Sequence, residues 1–374
     1  MNATFDFYAA LSLAGELQAL FWAAALATKK QANARANRIL AAFLFLLALG
    51  FANFILYKTR LIFQWPHLAE LATPLFFVLP PIFYFYVRAL TDKKFRFRKK
   101  EFLHFIPFLL FVFSKAPFYL SAASEKIAYL QVHHDQSIFA PSLLSGFLFA
   151  QEIAYLIIIL ALYRRHALAI KSQHSSIEKL NLKWIRVLLI GFFVIAGLYV
   201  VQILIFGGED RFFIVPIAMT VFVYLLGFRG MRQPEIFESA AANSQNEKYA
   251  KSALTDEQAQ IYLRKLQDLM DEEQLFLQPD LTLPKLAKAL SVSTNHLSQV
   301  INQQLKMSFF DFVNSRRVEE AKKLLLDESN NFVIEEIAYR VGFNSKSAFN
   351  AAFKKHVGQT PSQLKSLRQT NSDP

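Results

Sequence analysis

The sequence predicts an all-α chain in two parts. A seven-helix transmembrane bundle occupies residues 1–231, a linker follows at 232–254, and residues 255–370 carry two helix-turn-helix units in tandem. Three observations predict this. The 374 residues are 54% hydrophobic and include 39 Phe, which is more apolar than soluble two-domain proteins ordinarily are. The apolar residues of the first part gather into runs of about 20, the length a helix needs to cross a hydrocarbon core. Near the other end, the signature Leu283, Leu286, Ala287, Leu290 recurs as Ile334, Ile337, Ala338, Val341, an offset of 51 positions.

The seven apolar runs are 6–27, 38–57, 67–90, 102–120, 141–163, 184–206 and 211–231. Pro80 and Pro81 in the third, and Pro107 and Pro117 in the fourth, predict kinks rather than ends, because neighbouring helices satisfy the freed backbone groups. No basic segment precedes the first run and Asp6 sits at its start, which reads against a cleaved signal peptide.

Lys and Arg favour the cytoplasmic loops of membrane proteins. The loop after the first run holds Lys29, Lys30, Arg35 and Arg38. The loop after the third holds Lys93, Lys94, Arg96, Arg98, Lys99 and Lys100, and that after the fifth Arg164, Arg165, Lys171, Lys179 and Lys183. The alternate loops hold only Lys58 and Arg60, then Lys126, then Arg211. This asymmetry predicts an outside N-terminus and a cytoplasmic C-terminal part. Contact of the Lys93–Lys100 cluster with anionic headgroups of the lipid bilayer is compatible with it.

Ionisable groups inside apolar spans are expensive and mark function or interhelical pairing. Glu16, Asn53, Glu70, Lys115, Glu152 and Gln202 are the polar residues singled out here. Asn53, Glu70, Lys115 and Gln202 fall in the outer half of their spans, which suits a pocket for a small-molecule or lipid signal. Pairing of Lys115 with Glu70 is the purely structural alternative. His133, His134 and Asp135 lie too close in sequence to make a metal site alone.

The chain has no cysteine, which excludes disulfides, thiolate catalysis and Cys-bound metals. No HExxH, GxSxG, Walker or GxGxxG pattern occurs. Neither an enzyme nor a cofactor is therefore expected. The net charge of +12 resides mostly in the first part, since residues 247–374 carry 17 Lys/Arg against 16 Asp/Glu. Charge alone thus makes no case for a nucleic-acid partner.

Pattern does. Thr255-Asp256-Glu257-Gln258 fits a capping box opening a helix over 256–273, with Tyr262, Leu266, Leu269 and Met270 on one side. That stripe suits packing within the C-terminal part or a homodimer. The first helix-turn-helix covers 283–303, with Leu297, Val300 and Ile301 as the inner face of its second helix. The second covers 334–357, where Phe349, Ala352 and Phe353 do the same. Between them, Phe309, Phe312, Val313, Ala321, Leu324 and Leu325 space a connecting helix over 308–326.

These residues resemble the DNA-binding domain of AraC/XylS-type transcription regulators. The match runs through Leu286-Ala287, Ser293, Leu297-Ser298, Phe309, Asn314, Arg317-Val318, Ala321 and Leu324-Leu325. It continues at Ile337-Ala338, Gly342-Phe343, Phe349, Phe353-Lys354, Gly358 and Thr360-Pro361. Three positions depart from the family pattern: Ser291 where Gly is usual, Val333 where a capping Ser or Thr is common, and Leu364-Lys365 for an aromatic-Arg pair.

The resemblance implies double-stranded DNA as partner, read in two successive major-groove segments, with RNA polymerase as a further partner. The second helix of each unit presents its outer face to base edges. In the first these are Asn295, Ser298, Gln299 and Asn302; in the second, Lys346, Ser347 and Asn350. Asn and Gln suit bidentate contact with adenine. Lys306, Lys354, Lys355 and Lys365 are placed for phosphates. The function predicted is a bacterial inner-membrane transcription regulator controlled through its transmembrane half. The alternative is a transporter or channel with a regulatory tail.

Overall fold

The computed structural model describes residues 5–29, 33–92, 94–133, 143–178, 180–206, 214–233, 254–327, 329 and 331–371. Nearly all of the linker expected at 232–254, together with His134, Asp135, Lys93, Arg211 and the side chain of Gln202, lies outside the described residues. Among those described the regular structure is helical, with no strand. The chain divides into two compact units. The first is Met1–Arg164 with Leu182–Glu235; the second is Arg165–Asn181 with Ile236–Pro374.

In the first unit, α1 (Phe7–Thr28) is capped by Asp6, whose side chain accepts from the amides of Tyr8 and Ala9. It packs with α2 (Ala34–Lys58) and with α8 (Ile214–Met231). Small residues let these helices approach closely. A methyl group on Gly15 would stand 2.8 Å from the Thr220 hydroxyl. Next come α3 (Leu79–Thr91), α4 (Ile106–Leu120), α5 (Ala123–His133), α6 (Leu143–Gln173) and α7 (Lys183–Phe206). Helix α5 lies where hydropathy indicates only an outside loop.

By length and apolar composition, four described helices can cross a membrane: Phe7–Thr28, Ala34–Lys58, Lys99–Leu120 and Gly146–Gln173. The pair Pro66–Phe77 and Leu79–Thr91, bent by 41°, makes a fifth if counted as one span. Four or five of the expected seven spans meet this criterion among the described residues. The third run breaks into short 3-10 turns around Pro66, Pro74 and a positive φ of 62° at Glu70. In the last, the apolar helix is described over Val215–Met231, and residues 207–213 before it lie outside the described residues.

The second unit contains α9 (Asp256–Glu272), α10 (Leu283–Ala289), α11 (Thr294–Gln304), α12 (Phe309–Leu326), α13 (Ile334–Arg340), α14 (Lys346–Val357) and α15 (Pro361–Asn371). The capping box forms: Thr255 Oγ1 accepts from the Gln258 amide, and Gln258 Oε1 accepts from the Thr255 amide. Two hydrophobic cores follow. Leu266 and Met270 of α9, Leu283, Leu286, Leu297 and Ile301 fill the first; Ile337, Ala338, Val341, Phe343, Phe349 and Phe353 fill the second. Helix α12 serves both, giving Phe309, Phe312 and Val313 to one and Val318, Ala321 and Leu325 to the other. The stripe on α9 therefore packs inward, which accounts for it without a dimer.

Candidate nucleic-acid interface

The two turns that set the helix-turn-helix angles are built alike. In the first, the Ser291 amide donates to the Lys288 carbonyl and the Val292 amide to Ala287. In the second, Gly342 donates to Tyr339 and Phe343 to Ala338. These paired bonds close the helix end around a left-handed residue, as in a Schellman motif. Gly342 has φ 91°, and a Cβ there would meet the Leu277 carbonyl oxygen at 2.6 Å. Ser291 adopts φ 56° with a side chain in place, at a conformational cost that glycine avoids. The sequence departure at Ser291 thus changes the residue but keeps the backbone.

Each turn leads into a capped helix. Ser293 Oγ accepts from the His296 amide at 3.1 Å, and Ser345 Oγ from the Ala348 amide at 3.2 Å. By contrast, Val333 at the start of α13 gives no side-chain cap. The inner faces of α11 and α14 are buried in their respective cores. Outward, Asn295 and Asn302 are exposed, with Ser298 and Gln299 half-buried. Asn302 Nδ2 donates to Ser298 Oγ and Gln299 Nε2 to Gln303 Oε1, so this face is polar and held within one helix. On α14, Lys346 and Ser347 are exposed; Asn350 is half-buried with its Oδ1 buried and accepting no hydrogen bond.

The four lysines expected at phosphates differ in their surroundings. Lys306 and Lys354 are exposed. Lys355 Nζ bonds Asp311 Oδ1 at 2.6 Å, tying α14 to the start of α12, and Lys365 Nζ donates to the Phe332 carbonyl at 2.8 Å. Burial raises the Asp311 carboxyl, but bonds from Lys355 and Ser308 outweigh it and hold that group below the usual carboxylate value.

Arg317 joins the two cores. It is almost wholly buried, donates to the carbonyls of Phe276 at 2.6 Å and Gln278 at 2.8 Å, and lies over the Phe343 ring. Burial pushes its guanidinium down to about 10, opposed by the charge of Glu178. The sequence supplies Arg317 only as one matching residue; its role as a hub requires the carbonyls around it to be known.

In the first unit, no hydrogen bond or ion pair joins any two of Glu16, Asn53, Glu70, Lys115 and Glu152 among the described residues. Asn53 Nδ2 reaches the Leu68 carbonyl, two residues before Glu70. Glu70 is buried, its carboxylate accepting from Thr73 Oγ1 at 2.8 Å and its carbonyl from the Tyr119 hydroxyl. Glu16, Lys115 and Glu152 are half-buried, and no ion pair joins Lys115 to Glu70 among the described residues. Instead Lys126, read from sequence only as a loop charge, is buried against the Tyr119 carbonyl and His67 Nδ1.

Two stacked cores, a shared connecting helix and two capped polar helices define a tandem helix-turn-helix reader of DNA, the class of a transcription regulator. A family model described as a helix-turn-helix domain matches residues 286–366. Over 106 residues the chain is 34% identical to an HTH-type transcriptional regulator of Staphylococcus aureus strain COL, covering 28% of this chain and 14% of that protein. Over 90 residues it is 36% identical to an HTH-type transcriptional regulator in the cgkA 5' region of Pseudoalteromonas carrageenovora, covering 23% and 49%. Among solved structures it is similar to the C-terminal domain of AraT, a response regulator from Geobacillus stearothermophilus. The identity there is 38%, over 31% of this chain and 89% of that one, with a TM-score of 0.26. The C-terminal part of this chain is an AraC-type helix-turn-helix domain. The chain spans about one seventh and one half, respectively, of the two curated relatives.

Proposed function

We propose that the chain is a multi-pass inner-membrane regulator of a bacterium, with a periplasmic N-terminus and a cytoplasmic DNA-binding unit. A small-molecule or lipid signal received by the apolar half controls transcription. The observation that carries the DNA half is the pairing of α11 and α14, each capped by a serine and each backed by its own core. Asn295, Ser298, Gln299, Asn302, Lys346, Ser347 and Asn350 contact base edges, and Lys306, Lys354, Lys355 and Lys365 contact phosphates. The orphaned Oδ1 of Asn350 gains a donor by turning onto an adenine amino group.

The membrane half is supported by the four long apolar helices and by the alternation of basic loops. The domain limits are 1–231, 232–254 and 255–370. Contact with RNA polymerase and pairing of two copies at the operator belong to the same reading. No catalytic step is assigned to any residue. The alternative, a transporter with a regulatory tail, predicts substrate flux in reconstituted vesicles and gains no support from an internal repeat of hydropathy.

In-vitro selection of random duplexes by the full chain, at stated salt, tests the DNA reading. A motif about two helical turns long is expected. Asn350→Ala is expected to cost about 1–3 kcal/mol on the selected site while leaving random duplex unchanged. Lys354→Ala weakens both alike and flattens the salt dependence. Equal loss for Asn350→Ala on selected and random duplex contradicts its role.

A further inference from the structure

Helix α6 is continuous from Leu143 to Gln173, and the division of the chain into two units falls within it, after Arg164. Residues Arg165–Asn181, the end of that helix and the loop after it, cluster with the helix-turn-helix unit. The contacts inside that unit are specific. His174 forms an antiparallel bridge with Thr282, and the Ser175 amide donates to the Leu281 carbonyl at 3.2 Å. Ser175 Oγ also donates to that carbonyl, at 2.7 Å. Arg317 donates to Ser175 twice, to its carbonyl at 3.4 Å and its Oγ at 3.2 Å. Asn344 Nδ2 donates to Ser176 Oγ at 2.7 Å, and Ser176 Oγ donates in turn to the Glu178 carboxylate. Lys171 lies over the Phe310 ring.

The position of these contacts matters more than their number. Ser175 is almost fully buried, so its polar groups depend on the partners just named. Arg317 is the residue on which both cores meet. Asn344 is in the second turn, next to Ser345, the cap of α14. Through Ser176 the loop brings the Glu178 carboxylate to the approach of α14, the end of that helix which must meet DNA. A fixed negative charge there repels phosphate, and like-charge juxtaposition in an interface is strongly unfavourable.

We propose that segment 174–178 is a built-in lock on the DNA-binding unit. Docked through the isolated bridge of His174 to Thr282 and held by Arg317 and Asn344, it lowers affinity for DNA. Release of the loop raises that affinity. The lock rests on the reading of the chain as a membrane-controlled DNA-binding regulator, and it names the element through which control is exerted.

The absence of native cysteine allows a direct test in the full chain in native membranes. The bond from the Ser175 amide to Leu281 makes His174 and Thr282 a non-hydrogen-bonded antiparallel pair, with Cα atoms about 4.5 Å apart, within disulfide range. The double variant His174→Cys with Thr282→Cys is oxidised mildly, and binding is measured to a fluorescent random-sequence duplex of about 40 base pairs at low salt. The single Thr282→Cys variant controls for loss of the α10 cap. The disulfide is expected to form. The oxidised chain should then bind about tenfold more weakly than the same chain reduced. Glu178→Gln, in the chain without added cysteines, should bind more tightly than the parent.

Failure of the pair to cross-link overturns the docked loop. Cross-linking that leaves affinity unchanged overturns the lock. In both cases a reduced chain that still binds duplex leaves the regulator reading standing. If neither the reduced parent nor Glu178→Gln binds any duplex, the regulator reading falls, and the lock with it.

Discussion

Ser291 and Gly342 occupy equivalent left-handed positions in the two turns, yet only one of them is glycine. Gly342 has no alternative, because its missing Cβ makes room for the Leu277 carbonyl. Ser291 has room but carries a backbone penalty. Ser291→Gly is therefore expected to stabilise the first helix-turn-helix modestly, by roughly 0.5–1 kcal/mol, once the added freedom of the unfolded chain is subtracted. Gly342→Ala is expected to destabilise the second by about 1–3 kcal/mol. The urea midpoint for proteolytic protection of the C-terminal unit, followed in the intact chain, reads both. The same sign for the two substitutions contradicts this account of the turns. At this scale the sequence was informative where a residue type has one use. The Thr255 capping box and the glycine turn were legible from spacing. Lys126 was not, because its burial depends on Tyr119 and His67 folding over it.

At the scale of elements, α12 binds two three-dimensional units into one, and Arg317 is its central side chain. The guanidinium donates to the buried carbonyl of Phe276 and shares the Gln278 carbonyl with the Leu281 amide. Arg317→Met should leave the Phe276 carbonyl orphaned, at about 1–3 kcal/mol. Arg317→Lys should rescue little, since an ammonium lacks the planar fork that reaches both. Hydrogen exchange of the α13 and α14 amides in the full chain measures this. Unchanged protection in Arg317→Met contradicts the hub. The helices themselves, and the inward faces of α9, α11 and α14, were readable from apolar spacing. The docking of Ser175 on Leu281 was not. It rests on one backbone bond and one serine hydroxyl bond to the same carbonyl, between residues 106 apart in sequence, and such bonds leave no trace in hydropathy.

For the whole molecule, the long apolar helices and the AraC-type domain were both evident from the sequence. The number of spans was less so, because broken and short segments carry the same composition as crossing ones. Pro66, Pro74 and the left-handed Glu70 divide one apolar run into turns that hydropathy reads as continuous. The central claim is that the membrane half sets what the DNA-binding half does. The most direct measurement compares DNA occupancy across the genome in cells carrying either the full chain or a chain whose residues 1–231 are replaced by an inert single-span anchor. The account predicts that occupancy by the anchored form no longer responds to growth conditions that alter occupancy by the full chain, and that its sites carry the same motif. Occupancy identical for the two proteins under every condition would contradict it.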